Sequence, residues 1–169
     1  EVLQLSEAIR LLTPHPASGN PNLLRTITTE TGGQLAVDYT PSTRWTNGYL
    51  PQVLHAVSQI TLNDGRGSAA TTNYWYQGGL YDPVARKFLG YRNMSIVKPL
   101  AAGETARPVT EITFRQDLAS YGLPERTVIR NSASTASRTV AETYSVKATT
   151  KPYRALNTGT LTTLVDSGG

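Results

Sequence analysis

Asp64-Gly65-Arg66-Gly67, followed by Tyr74-Trp75-Tyr76-Gln77-Gly78-Gly79-Leu80-Tyr81-Asp82-Pro83 and Arg86-Lys87-Phe88-Leu89-Gly90-Tyr91, decides the fold class. Asp-Gly between runs of alternating aromatic and polar residues is a hairpin signal. A two-residue type I′ turn needs positive φ at both central positions, and Asp-Gly tolerates that best. Gly78-Gly79 ahead of Tyr81-Asp82-Pro83 supplies a second reversal. The stretch therefore predicts strand, turn, strand, turn, strand.

Outward from that centre the same grammar repeats. Leu23 to Thr29, Thr31-Gly32-Gly33 and Gln34 to Thr40 read as a hairpin, with Leu35, Val37 and Tyr39 on one face at period two. Pro41 to Pro51 reads as a loop holding Arg44, Trp45 and Tyr49, and Val53 to Leu62 as a strand. Arg86 to Lys98 is expected as one long strand, apolar on both faces. Val109 to Asp117, Arg126 to Arg130, Thr139 to Val146 and a weak Thr158 to Val165 complete the strands, with Lys151 to Asn157 as a loop. Threonine, valine and tyrosine in short runs between turn signals argue an all-β fold: an antiparallel meander of long twisted strands. No βα alternation appears, which argues against a parallel α/β sheet. Val2, Leu5, Ile9 and Leu12 lie at helical spacing, so a short N-terminal helix over residues 2–12 is expected, stopped by Thr13-Pro14-His15-Pro16. The organisation expected is a lead-in segment or linker over 1–21, one β-rich domain over 22–165 and a C-terminal linker over 166–169.

Composition narrows the chemistry. The chain has 169 residues, no cysteine and two histidines, so it carries no disulfide, thiol nucleophile or histidine-rich metal site. No apolar run approaches a membrane span. Glu1, Glu7 and Arg10 do not read as a signal peptide, and the start looks like a piece of something longer. The net charge is +4, but the sixteen Lys and Arg residues are spread evenly, without the basic block of a nucleic-acid binder. There is no Gly-x-Ser-x-Gly elbow, and Gly65-Arg66-Gly67 lacks the spacing and the lysine of a phosphate loop. His15 sits between prolines, and neither it nor His55 has an evident catalytic partner.

Asp38, Asp64, Asp82, Glu104, Glu111 and Asp117 are the acids from which a glycosidase pair could be drawn, but Asp64 and Asp82 are explained as turn formers. Trp45, Tyr49, Tyr74, Trp75, Tyr76, Tyr81 and Tyr91 could form a sugar platform, although alternating aromatics more often pack across strands. Asn93-Met94-Ser95 fits a glycosylation sequon but falls within a strand, and is taken as chance. No catalytic, cofactor-binding or metal residue is assigned.

The ordered string Asp64-Gly65-Arg66-Gly67, Thr72, Tyr74, Tyr76, Gly79, Tyr81-Asp82-Pro83, Arg86, Phe88 and Gly90-Tyr91 resembles the middle region of the B component of insecticidal toxin complexes, a region also found in Rhs/YD-repeat and virulence-plasmid toxins. Where that region reads Arg-Glu-Phe-Arg-Gly-Phe, this chain has Arg86-Lys87-Phe88-Leu89-Gly90-Tyr91, so two charges differ. Asn22 to Thr43 is similar to the family's opening hairpin; Phe114-Arg115-Gln116-Asp117, Gly122 to Arg126 and Glu142-Thr143-Tyr144 are similar to its continuation. The resemblance implies a non-catalytic structural module of a secreted or cell-surface bacterial toxin. It would link a propeller region to a strand-built Rhs shell that encloses a toxic payload. It implies no cofactor, no nucleic acid and no direct membrane insertion. Its implied partners are adjacent domains of the same toxin and other toxin-complex subunits. Tyr74, Tyr76, Phe88 and Tyr91 would pack the wall, while Tyr81 and Asp82 fix a reversal between two long strands, with Arg86 as the charged partner of Asp82. The rival expectation is an extracellular carbohydrate- or receptor-binding β-domain gripping its ligand through Trp45, Tyr49 and Trp75.

Overall fold

The computed structural model describes residues 9–14, 23–133 and 136–166. Strands are β1 (Ile9–Pro14), β2 (Leu24–Thr29), β3 (Gln34–Pro41), β4 (His55–Asn63), β5 (Ala69–Gln77), β6 (Tyr81–Asp82), β7 (Lys87–Phe88), β8 (Asn93–Val97), β9 (Pro108–Phe114), β10 (Pro124–Asn131), β11 (Ala136–Lys147) and β12 (Arg154–Asp166). The only helical piece among the described residues is one 3-10 turn at Ser42–Arg44. The expected all-β antiparallel fold is what the chain adopts.

The chain forms two compact units, residues 1–40 with 55–73, and residues 41–54 with 74–169. In the first, strands lie in the order β1-β2-β3-β4-β5. The β2–β3 hairpin is the one expected from Thr31-Gly32-Gly33. It closes through Thr29 N–H to the Gly33 carbonyl at 2.8 Å and Gly32 N–H to the Thr29 carbonyl at 3.0 Å. Val37 is buried on β3, as its period-two face requires. Ile9–Pro14 is a strand paired antiparallel with β2, which corrects the helix expected there; residues 2–8 lie outside the described residues. Helical spacing over so short an apolar run does not outweigh the backbone hydrogen bonds that a neighbouring strand offers.

In the second unit the end of β5 is followed by β8-β9-β10-β11-β12, each antiparallel to the next, and β6 pairs with β7 in a separate ribbon. The single long strand expected over Arg86 to Lys98 is therefore broken. Lys87–Phe88 belongs to the ribbon and Asn93–Val97 to the sheet, because Gly90 takes φ +90° between them. The strand expected over Val109 to Asp117 ends at Phe114. At the far end β12 spans 13 residues and includes Arg154–Asn157, which the sequence suggests is loop. Its partner decides this: β11 pairs with it from Ala136↔Asp166 to Lys147↔Arg154, with a bulge opposite Thr143/Tyr144. Glu142 binds the bulge, accepting from Asn157 Nδ2 and from Thr160 Oγ1.

Register sorts side chains of this unit onto two faces, because residues directly opposite across a ladder share a face. One face carries the rows Ile96–Thr110–Ile129–Arg138–Leu164 and Met94–Ile112–Thr127–Val140–Thr162. The other carries Asn93–Thr113–Arg126–Ala141–Leu161 and Ser95–Glu111–Val128–Thr139–Thr163. Burial is thin: Val37, Leu89 and Val109 are the buried apolar side chains among the described residues.

Candidate functional site

The second unit concentrates its tertiary order at one corner, where the Thr43–Leu50 loop, the Gly78–Leu80 reversal and the Leu89–Arg92 link converge. Asn47 is the first pin. Its Nδ2 donates to the carbonyls of Ser42 (2.7 Å) and Trp45 (3.0 Å), and its Oδ1 accepts from Gly79 N–H at 3.1 Å. Backbone bonds fasten the same pieces: Gly78 N–H to the Thr46 carbonyl (2.8 Å), Gly48 N–H to Gly79 (3.0 Å), Tyr81 N–H to Tyr49 (2.7 Å) and Leu80 N–H to Gly90 (3.1 Å). Gln116 is the second pin. Its Nε2 donates to the Gly78 carbonyl at 2.6 Å and the Gly90 carbonyl at 2.8 Å. Arg92 is the third, reaching the Phe114 carbonyl at 2.5 Å and the Glu125 carboxylate at 2.5 Å.

The glycines are where close approach requires them. A Cβ on Gly79 would lie 2.7 Å from Asn47 Oδ1 and 3.1 Å from Tyr91 Cε1. Gly78 has φ +69°, and a Cβ there would lie 2.7 Å from that of Arg92.

Against this backbone pack the rings. Trp45 meets Tyr76 edge-on at 5.1 Å and Tyr91 at 6.0 Å; Tyr76 and Tyr91 lie 5.0 Å apart, and Phe88 meets Tyr91 at 5.6 Å. Burial, then the nearby Tyr74 and Tyr91, push the Tyr76 phenol up to about 12. Burial also raises Tyr91, whose hydroxyl is buried without a protein partner. These are rings held neutral in a packed cluster, not poised acids or bases.

The predicted motif residues divide. Tyr76, Gly79, Phe88, Gly90 and Tyr91 meet at the corner, and Tyr81 enters it through its backbone; Tyr74 lies near Tyr76 on β5. Asp82 does not pair with Arg86, and the reversal it sits in joins two-residue strands rather than long ones. Its Oδ1 instead accepts from the backbone N–H of Val84 (2.8 Å) and Ala85 (2.9 Å), while Arg86 is exposed at φ 53°. Asp64, Gly65, Arg66 and Gly67 lie in the first unit and form a loop with local hydrogen bonds, packed at Gly65 against the Gly32–Gly33 turn, where a Cβ would lie 2.9 Å from the Gly32 carbonyl. Asp64 N–H binds the Ser68 carbonyl at 3.1 Å, and its carboxylate accepts from Arg66 (2.7 Å) and Ser68 (3.0 Å). This is not the two-residue type I′ turn expected: the loop runs from Asp64 to Ser68, and the positive φ values fall on Gly65 and Gly67. The backbone donors hold the Asp64 carboxyl below its ordinary range.

Nothing in the sequence singles out Asn47, Gln116 or Arg92. Gln116 lies within the Phe114-Arg115-Gln116-Asp117 stretch, but nothing local marks a carboxamide that satisfies carbonyls 38 and 26 residues away. Of the other acids, Glu111 pairs with Arg130 at 2.7 Å. Asp117 accepts from Ser120 at 2.5 Å and Arg115 at 3.0 Å. Burial works to raise Asp117, but the hydrogen bonds from Ser120 and Arg115 and the guanidinium charge outweigh it, and its carboxyl is lowered. No grouping of His, Asp and Glu that could hold a metal ion occurs among the described residues. The three supposed platform rings do not act together: Trp45 is in the ring cluster, whereas Tyr49 and Trp75 are exposed.

The fold has solved counterparts. A TcdB2-TccC3-TEV crystal structure matches 82% of this chain at TM-score 0.68 and 13% identity, using 10% of that chain. A TcdB2-TccC3 crystal structure matches 82% at TM-score 0.66 and 15% identity, again over 10%. The Photorhabdus luminescens Tc holotoxin pore with the TccC3-D651A mutation matches 81% at TM-score 0.66 and 15% identity, over 10% of that chain. The chain thus spans about a tenth of the solved chains it matches. No curated protein matches it. The profile described as the insecticide toxin TcdB middle/N-terminal region matches residues 14–120, which takes in both the Asp64–Ser68 loop and the Gln116-pinned corner, and the chain belongs to that family.

Proposed function

We propose that this chain is a non-catalytic structural module of a secreted bacterial toxin of the toxin-complex B type. It forms part of the strand scaffold between a propeller region and the shell around a toxic payload. Its partners are adjacent segments of the same toxin and other toxin-complex subunits. The observation that carries this is the open sheet of the second unit. Ile129 and Leu164 share a face with Ile96, Met94 and Ile112, and Leu164 is 75% exposed. β12 ends the strand order and exposes Leu156, Leu161 and Val165 as well. A long apolar edge strand is normally paired or covered, since otherwise it invites aggregation. A wall segment, covered by its neighbours in the whole toxin, satisfies that requirement without any reactive group. The carboxylates fit the same reading, because Asp64, Asp82, Glu111 and Asp117 are each engaged in holding a turn or a strand pair.

The test is Leu164→Asp, made both in this chain and in the full-length toxin subunit. In this chain the side chain is largely solvated, so stability should change by no more than about 0.5 kcal/mol. In the full-length subunit the same change should impair soluble assembly and protease protection of the payload. Normal assembly of the full-length variant would sink the proposal.

A further inference from the structure

The face of the second unit that carries Asn93, Thr113 and Arg126 contains a concavity of about 330 Å³. Trp75 and Gln77 supply one wall from β5; Asn93, Glu111, Thr113 and Arg126 supply the floor and the other wall. Trp75 is 48% exposed, unusual for so large a ring and unlike Trp45, which is engaged by two tyrosines. Its polar groups are arranged by register, Asn93 facing Thr113 and Thr113 facing Arg126, with Val128 beside them opposite Glu111. Thr113 Oγ1 donates to Asn93 Oδ1 at 3.1 Å, which fixes the carboxamide and leaves its Nδ2 to donate outward. Glu111 is neutralised by Arg130 at 2.7 Å, whereas Arg126 is exposed and has no ion-pair partner among the described residues. The local balance is one uncompensated positive charge.

We propose that this concavity binds an acidic saccharide, with a pyranose ring stacked on Trp75 and a carboxylate held by Arg126. An exposed indole beside amide donors suits the apolar face and hydroxyl rim of a sugar. A guanidinium forks a carboxylate with two parallel hydrogen bonds. The spacing fixes the size. β5 and β10 are three strand steps apart through β8 and β9. At about 4.8 Å per step that is about 14 Å, shortened by the reach of the arginine. The carboxylate therefore sits on the sugar next to the stacked ring, not on the stacked ring itself. This site does not depend on the scaffold proposal, and either can fail alone.

Calorimetric titration with 3′-sialyllactose and with lactose tests it, with far-UV circular dichroism confirming that each variant is folded. The wild-type chain should bind 3′-sialyllactose roughly tenfold more tightly than lactose. Arg126→Gln should abolish that difference, bringing 3′-sialyllactose to the affinity of lactose. Trp75→Ala should weaken both sugars by about tenfold or more, and Trp75→Phe should restore most of the loss. Equal affinity for the two sugars, no binding of either, or full binding by the folded Trp75→Ala variant would each overturn the proposal.

Discussion

The Asp64–Ser68 loop and the Gly78–Arg92 corner are both reversals marked by glycine, yet they are held by opposite means. The first is closed by its own residues: one aspartate carboxylate caps two backbone donors within four positions of itself. The second is closed by residues brought from elsewhere, Asn47 from 32 positions upstream of Gly79 and Gln116 from 38 positions downstream of Gly78. A local device tolerates change because water replaces what is removed. A pinned corner tolerates less, because its pins join part-buried backbone groups of segments far apart in the chain, and losing one loosens both segments. The difference predicts a steep order of sensitivity.

The largest effect is expected from Gly79→Val. Its Cβ would collide with Asn47 Oδ1, the atom that accepts from Gly79 N–H, so the residue that must move is the one that must stay. Added methyls then meet Tyr91, and the cluster of Tyr76, Phe88 and Tyr91 opens. Urea denaturation should show a loss of about 4 kcal/mol or more, or no folded state at all. A loss under about 1 kcal/mol would mean that the corner is as forgiving as the loop.

Gln116 sharpens the same contrast. Each carbonyl it serves has a second donor, Arg92 N–H for Gly78 and Leu80 N–H for Gly90, so neither is orphaned when the carboxamide goes. Gln116→Ala should therefore cost only about 1–2 kcal/mol in urea unfolding. Gln116→Glu should cost more at neutral pH, since a carboxylate would face two carbonyl oxygens with nothing to donate. The introduced acid should have a raised folded pKa, so the penalty should shrink as pH falls and the group protonates. A glutamate variant no worse than the alanine variant would remove Gln116 from the list of pins.

How far the sequence revealed this molecule follows the same divide. The Thr31-Gly32-Gly33 hairpin and the position of the Asp64 loop were legible because their chemistry is within a few residues. So was the all-β class, which needs only alternation and turn residues. Ile9–Pro14 was missed because a strand needs a partner and β2 lies beyond the next loop. The extension of β12 over Arg154–Asn157 was missed for the same reason, since β11 and its Glu142 create it. The break between Phe88 and Asn93 depends on partners from elsewhere: both sides carry strand-forming residues, while Gln116 and Leu80 N–H hold the carbonyl of Gly90, whose φ of +90° parts them. Tyr76, Phe88 and Tyr91, all within the motif stretch, lie ring against ring at the corner. The amides that bind them together have no local signature.

The smallest effect belongs to Asp64→Asn. The carboxylate is fully exposed, and an amide oxygen in its place still accepts from Arg66 and Ser68 N–H, so near neutral pH the two proteins should melt almost together. They should part only in acid. The Asp64 carboxyl is lowered in the folded chain from its ordinary value of 3.8, so its contribution is fully present above that value and is lost as pH falls through the folded value. Wild type should therefore shed stability in that window relative to the asparagine variant. Asp117, lowered through Ser120 and Arg115, titrates in both proteins and cancels from the difference. Thermal melts of the pair, stepped downward from about pH 5, read that difference directly. A large gap at neutral pH would show that the loop depends on charge and not on the cap, and the line between a self-sufficient turn and a pinned one would have to be drawn elsewhere.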